Sequence, residues 1–343
     1  MRAVMIDRHG GPEVLCLRED LPLPTPQAGE VAVDIRAAAL NHLDIWVRRG
    51  LPGMPVELPH ILGSDGAGTV AATGPGTDGL HVGDAVVLNP SAGCRRCEFC
   101  LSGQESQCVD FGILGENRPG TFADRVVVRA DHVHPLPRGL NFEQGAAFPL
   151  VFLTAWRLLV TKGRIRAGQD VLLHGIGGGV ASAALLIARL HGCRVFVTSS
   201  SAEKLDRARE LGAEVAIDYR NLDVAAEVAR HTGKRGVDVV LDNVGADTWR
   251  TSIEAVRKGG RIVTCGATTG PHPPTDLQRI FWKQITICGS TMGTPDEFRQ
   301  VWRLFDQGRL KPVIDSVRPL EEIRRAQKKM ERGEQFGKLV LTL

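Results

Sequence analysis

The stretch Asp170-Val-Leu-Leu-His-Gly-Ile-Gly-Gly-Gly-Val-Ala181 constrains the fold of this chain more than any other. Val171 to Leu173 predicts a buried strand, and Gly175, Gly177, Gly178 and Gly179 come directly after it. Val180 to Leu190 then carries an apolar helical pattern that stops near Gly192. Strand, glycine turn and helix in that order open a dinucleotide-binding unit. Glycines let the backbone approach a diphosphate, and the helix start supplies free N–H groups and the positive end of the dipole. A literal G-x-G-x-x-G is absent; the spacing that survives is Gly175-x-x-Gly178-x-x-Ala181.

Strands and helices keep alternating beyond the turn. Strands are predicted at Arg194–Thr198, Val215–Ile217, Val237–Leu241, Arg261–Cys265 and Ile285–Cys288. Helices are predicted at 202–211, 223–231, 248–256 and 276–283. With the first strand this makes a six-stranded, doubly wound parallel sheet over 151–290. The part before it is rich in glycine and proline, with alternating runs such as Glu30–Arg36 and Asp84–Leu88, and predicts a mostly antiparallel β domain. The tail, 291–343, carries two helical stretches and a last strand, Lys338–Leu341, and is assigned to the first domain. At 343 residues the chain is too long for one core. A net charge of +3 with dispersed Lys and Arg argues against a nucleic-acid partner. No apolar run reaches spanning length and the start lacks a signal-peptide pattern, so a cytoplasmic protein without a membrane partner is expected.

Cysteine usage fits the same compartment. Of eight cysteines, Cys94, Cys97, Cys100 and Cys108 crowd into one lobe, about 91–112, at the spacing C-x2-C-x2-C-x7-C. Four thiolates so placed suit one tetrahedral Zn²⁺ with no position left for substrate, hence a structural ion. Arg95 and Arg96 are expected to offset its excess negative charge. Four reduced thiols in a loop are the plainer alternative.

The combination resembles the medium-chain dehydrogenase/reductase superfamily of zinc alcohol dehydrogenases and quinone reductases. Besides the lobe and the glycine turn, the resemblance is carried by Gly11-Pro-Glu-Val-Leu15, Ala39-Leu-Asn-His-Leu-Asp44, Leu62-Gly-Ser-Asp-Gly-Ala-Gly-Thr-Val70, Gly120-Thr-Phe-Ala-Asp124, Gly236-Val-Asp-Val-Val240 and Gly337-Lys-Leu-Val340. It implies an α/β fold in two parts: a GroES-like β-rich catalytic domain, 1–150 with 291–343, and a Rossmann domain, 151–290. It also implies chemistry in the cleft beside the nucleotide sheet. The chain departs from the zinc enzymes where they bind the catalytic metal. Asn41 stands for their first cysteine, Gly63-Ser64-Asp65 for their glycine-histidine-glutamate, and Leu150 falls where a third ligand is expected. Such a set suits Zn²⁺ poorly, so no catalytic zinc is expected, with a rescued site from His42, His60 and Asp65 as the alternative.

The zinc-free branch resembled by Asn41-His-Leu-Asp44 delivers hydride to quinones or α,β-unsaturated carbonyls. Asn41 is expected to orient the carbonyl or the nicotinamide amide, Asp44 to fix neighbouring groups and His42 to relay a proton. Turn and cap chemistry is the alternative for all three. For the cofactor, Thr154, Gly175, Gly177, Gly178, Gly179, Val180, Ser199, Ser200, Lys204, Asn243 and Gly266 are the expected contacts. Ser199 sits where an NAD enzyme places an acid, and Lys204 comes one turn later, which favours NADPH over NADH. The expected substrate is a small molecule, with Trp46, Phe111, Phe152 and Trp282 as candidate apolar lining. A homodimer is expected because Ile285–Cys288 is otherwise an apolar sheet edge, with a tetramer through the zinc lobe as the larger alternative. An alcohol dehydrogenase and a non-enzymatic nucleotide sensor are the competing readings.

Overall fold

The computed structural model describes residues 1–50 and 55–343. The chain divides into two compact units, Met1–Leu150 with Thr294–Leu343, and Val151–Gly293.

The first unit is built on Glu30–Ala39, whose alternating apolar residues bury one face and most of the other. It lies centrally in a seven-stranded sheet that runs, by residue, 133–135, 85–88, 65–73, 30–39, 338–342 and 314–319, with Arg125–Arg129 also pairing to Glu30–Ala39. Gly68 has no substitute: a Cβ there would lie 1.9 Å from the carbonyl oxygen of Asp34. A smaller sheet places Ala3–Ile6 between Cys16–Arg18 and His60–Ile61. Among the strands named in these two sheets, pairing is antiparallel except between Ile314–Pro319 and Lys338–Thr342. Ile314–Pro319, with Pro319 and three charged or polar side chains, has no strand-like apolar period, and for that reason it is absent from the sequence-based reading. Helix His42–Arg49 docks on helix Ile323–Glu331 through the fully buried Arg48, which donates to Gln327 Oε1 at 2.8 Å and pairs with Glu331. Helix Pro295–Asp306 starts in a reciprocal cap between Thr294 and Glu297 and buries Phe298, Trp302 and Phe305 against Phe148.

In the second unit the strands and helices alternate: β1 (Asp170–Leu173), α1 (Gly179–Leu190), β2 (Arg194–Ser199), α2 (Ala202–Glu210), β3 (Val215–Asp218), α3 (Val224–His231), β4 (Val237–Leu241), α4 (Trp249–Ala255), β5 (Val256–Thr264), α5 (Leu277–Lys283) and β6 (Thr286–Gly289). All pairs are parallel and the sheet order is β3-β2-β1-β4-β5-β6, the doubly wound order of dinucleotide-binding folds. β5 begins five residues before the predicted Arg261, because Val256 pairs with Val237 and the register then jumps to Val239–Arg261 across Gly259-Gly260. Ahead of β1, the helix Pro149–Trp156 is continued by a wide turn over Arg157–Lys162.

Candidate functional site

In the first unit, Asn41 caps helix His42–Arg49. Its backbone N–H donates to Asp44 Oδ2 at 2.7 Å. Asp65 opens the strand Asp65–Thr73 directly opposite Ala39, so pairing brings it to the Asn41 amide. Asn41 Nδ2 donates to Asp65 Oδ2 at 2.9 Å and to the Ala39 carbonyl at 3.4 Å, which uses both its N–H groups. The backbone N–H of Leu150 donates to Asp65 Oδ1 at 2.9 Å.

The cluster is completed by a residue that the sequence marks only as the first residue of a strand. Lys338 Nζ donates to Asn41 Oδ1 at 2.6 Å and to Asp65 Oδ2 at 2.9 Å. Lys338, Asn41 and Asp65 are all buried, Asp65 completely. The sequence does carry a signal for Lys338: a lone cation opens the apolar strand Lys-Leu-Val-Leu. A period-2 reading assigns such an end residue to solvent by default.

Asp44 is fully buried, and desolvation pushes its carboxyl up to about 7, although Asn41 and Lys338 pull the other way. Its Oδ1 has no hydrogen-bond partner among the described residues. His42 lies apart from this set, with its ring edge-on to Trp46 at 5.1 Å, and burial lowers its pKa. Among the described residues, the only group of three or more His, Cys, Asp or Glu side chains close enough to share an ion is the four-cysteine cluster. His42, His60 and Asp65 therefore do not form a metal site. Of the aromatic lining candidates, Phe152 is core and Trp282 stands 71% exposed on α5.

The four cysteine sulfurs lie within 4.8 Å of one another in a lobe closed at its base by the pair Ser91–Ala92 and Gly112–Ile113. Backbone N–H groups turn toward them. Those of Cys94 and Asp110 reach Cys108 Sγ at 3.1 and 3.3 Å, and those of Cys100 and Val109 help draw Cys97 down to about 6. Desolvation pushes Cys100 up to about 12. The Arg95 guanidinium, expected as a counter-charge, pairs with Asp131, and the donors that reach Cys108 Sγ are backbone N–H groups. All-thiolate donors at this spacing fit a closed tetrahedral Zn²⁺.

In the second unit the turn after β1 has Gly175 at φ +65° and closes with Gly178 N–H to Gly175 O at 3.0 Å. Ser182 N–H to Gly178 O is the first helical bond of α1, so the amides of Gly179, Val180 and Ala181 precede it, as an anion site requires. Gly177 lies in the same turn. Ser199 ends β2, and its hydroxyl accepts from Ser201 N–H at 3.1 Å. Ser200 lies between them, and Ser201 caps α2, accepting from the backbone N–H of Lys204. Asn243 and Gly266 come after β4 and β5 at the same sheet end. Thr154 donates to Met292 Sδ at 3.7 Å, not to a helix carbonyl.

Beneath the turn runs a buried polar chain that no sequence motif suggests. Ser252 Oγ donates to Asp242 Oδ2 at 2.6 Å, which leaves its lone pair for His174 Nε2–H at 3.1 Å. His174 Nδ1 then accepts from Thr198 Oγ1 at 3.3 Å, and Thr198 Oγ1 accepts from Gly175 N–H at 3.3 Å. Asp242 Oδ1 collects the backbone N–H groups of Val244 and Gly245, both at 3.0 Å, and the Thr248 hydroxyl at 2.8 Å. One directional series of hydrogen bonds thus ties the glycine turn to the loop after β4.

A glycine turn at the carboxyl end of a 3-2-1-4-5-6 sheet, joined in one chain to a β-rich unit with a four-cysteine lobe, defines a two-domain nicotinamide-nucleotide oxidoreductase. Comparison with known proteins gives the family. Residues 179–307 match the zinc-binding dehydrogenase family and residues 27–138 the alcohol dehydrogenase GroES-like domain. A quinone oxidoreductase of Mus musculus is 31% identical, over 100% of this chain and 98% of its own length. A zinc-type alcohol dehydrogenase-like protein of Leptosphaeria maculans, YogA, is 35% identical, over 93% of this chain and 92% of its own. A crystal structure described as an NAD-dependent alcohol dehydrogenase superposes with a TM-score of 0.95 at 45% identity, covering both chains fully. The chain belongs to the medium-chain dehydrogenase/reductase superfamily and is an NAD(P)-dependent oxidoreductase, which sets aside the nucleotide-sensor reading.

Proposed function

We propose that the protein is an NADPH-dependent reductase of quinones or α,β-unsaturated carbonyls that works without a catalytic metal and carries one structural Zn²⁺ on Cys94, Cys97, Cys100 and Cys108. One observation carries this reading: of the three segments that supply metal ligands in the zinc alcohol dehydrogenases, two here put Asn41 and Asp65 on the ammonium of Lys338, and the third brings the Leu150 backbone N–H to the other oxygen of Asp65. An amide, a carboxylate already holding three donors and a leucine are a misfit for catalytic zinc. A conjugated acceptor needs a metal least, because the charge left by an arriving hydride is spread toward oxygen and donors suffice to hold it.

The bound nicotinamide nucleotide supplies hydride. Gly175, Gly177, Gly178 and Gly179 with Val180 present backbone to its diphosphate, while Asn243, Gly266 and Thr154 serve the nicotinamide half. At the other end, Ser199, Ser200 and Lys204 serve the adenosine half. Strand pairing sets Ser199 beside Asp218, whose carboxylate is taken up by the Arg220 backbone N–H at 3.0 Å and by Asn221 Nδ2 at 2.7 Å. In the first unit, Asn41 keeps acceptor capacity only at Oδ1, and Asp44 braces it through the backbone; His42, held apart, relays a proton only to a bound acceptor. Eight free cysteines support a cytoplasmic, reducing setting. No helix among the described residues is long and apolar enough to cross a membrane.

Purified protein is assayed with NADPH and with NADH against quinones, enones, enals and simple aldehydes, and its metal content is measured. The expected result is faster turnover of conjugated acceptors with NADPH and about one zinc per chain. Preference for NADH with simple alcohols and aldehydes, together with two zinc ions per chain, would replace this reading by an alcohol dehydrogenase.

A further inference from the structure

Lys338 is placed with more care than a strand residue needs. Gly337 precedes it at φ +98°, where a Cβ would lie 2.3 Å from the Val313 carbonyl oxygen, so only glycine permits the turn that sends Lys338 inward. Its backbone N–H is held by the same Val313 oxygen at 2.8 Å. The side chain is then pinned at two points, Asn41 Oδ1 and Asp65 Oδ2, and cannot swing to solvent. An ammonium has three N–H groups, and no third acceptor lies within hydrogen-bond distance among the described residues. Burying an ion pair costs more than burying apolar side chains of the same shape, so this arrangement is a poor choice for stability alone.

We propose that the Lys338 ammonium is the resident cation of this site, covalently attached where related dehydrogenases bind a metal, and that its uncommitted N–H holds the carbonyl oxygen of the acceptor. The proposal rests on the conjugated-acceptor reading and adds to it the group that stabilises the developing charge. Hydride adds with its electron pair to the β-carbon, the C=C pair shifts, and the charge settles on oxygen as an enolate. Lys338 keeps its proton and holds that oxygen by a charge-assisted hydrogen bond. A solvent proton then completes the α-carbon, so one hydride and one proton are consumed per turnover. An alkoxide from a saturated ketone is basic enough to strip an ammonium of its proton; an enolate or hydroquinone anion is much less so. The same residue therefore sets the acceptor class. Asn41 and Asp65 are positioning residues that aim it.

The test uses Lys338→Met and, to leave no unpaired buried carboxylate, Lys338→Met/Asp65→Asn. Both are compared with wild type in thermal unfolding, in NADPH affinity by fluorescence and in kcat over acceptors of graded enolate basicity. The expected result is a folded double variant with NADPH affinity within about twofold, and kcat lower by about 10²–10³, the usual effect of losing one donor to a developing oxyanion. The loss should deepen as the enolate becomes more basic, which a merely structural role would not produce. A double variant with kcat within threefold of wild type overturns the proposal, as does a second zinc per chain in the wild type. If wild type turns over only saturated aldehydes, the acceptor reading has failed, and the double variant measured on an aldehyde still decides the role of Lys338.

Discussion

At the scale of single residues, Asp44 couples folding to pH. Its carboxyl rises from the ordinary 3.8 to about 7 because it is buried. A folded-state value above the unfolded one means that the native chain holds a proton that the unfolded chain has released. The stability this provides is complete below about pH 4 and is lost as pH climbs to about 7. Asp44→Asn keeps an acceptor for the Asn41 N–H and cannot ionise. In urea unfolding, the variant is expected to gain on wild type between pH 5 and pH 8, by at most on the order of 3 kcal/mol. A difference that does not change with pH would show that Asp44 is ionised throughout. Residues are legible in the sequence unevenly. Asn41 and Asp44 announce themselves by the cap spacing of a helix start. Lys338 does not, because what makes it unusual is the company of Asn41 and Asp65, nearly three hundred positions away in the chain. Arg95 misleads for the opposite reason: it adjoins the cysteines in sequence, but its charge is spent on Asp131.

At the scale of elements, the nucleotide unit is the most legible part, since a parallel strand buried on both faces is a plain apolar run and each leads into an amphipathic helix. Illegible are the polar residues that end those runs. His174 and Asp242 directly follow β1 and β4 and Thr198 is the last residue but one of β2, and each looks like ordinary turn or strand-end chemistry when taken alone. Pairing sets the three strands side by side, and Ser252 from α4 joins them. Ser252→Ala removes the middle of the series and leaves His174 Nε2–H and one lone pair of Asp242 unsatisfied in the core. The expected cost is about 1–3 kcal/mol in stability, with weaker nucleotide binding because the glycine turn and the loop after β4 lose a shared brace. Ser252→Thr, which keeps the hydroxyl, should restore nucleotide affinity even if packing suffers. Equal affinities in wild type and Ser252→Ala, measured by fluorescence titration, would reduce the series to a packing feature.

At the scale of the whole molecule, the open question is what covers the sheet edge. β6 is the outermost strand on its side, and its pattern is largely exposed, with Ile287 38% accessible. Beside it, α5 shows Leu277, Phe281 and Trp282 to solvent, each more than 60% exposed. An unprotected edge strand next to a patch of large apolar side chains is a liability in a lone chain, and nothing of the usual protection is present on β6: no proline, no charge and no bulge. A second copy related by a twofold axis would pair β6 with itself and cover both α5 patches in one self-complementary contact. The expected mass in light scattering is therefore twice the 37.1 kDa of one chain. Ile287→Lys places a charge on the edge, and Trp282→Glu places one on the neighbouring patch. The double variant should elute near 37.1 kDa with its far-ultraviolet circular dichroism unchanged. If it elutes like the wild type, the contact between copies lies elsewhere. The exposed Leu101 and Val109 of the cysteine lobe are then the surface to change next, because among the described residues they are the other large apolar side chains standing more than 70% clear of the fold.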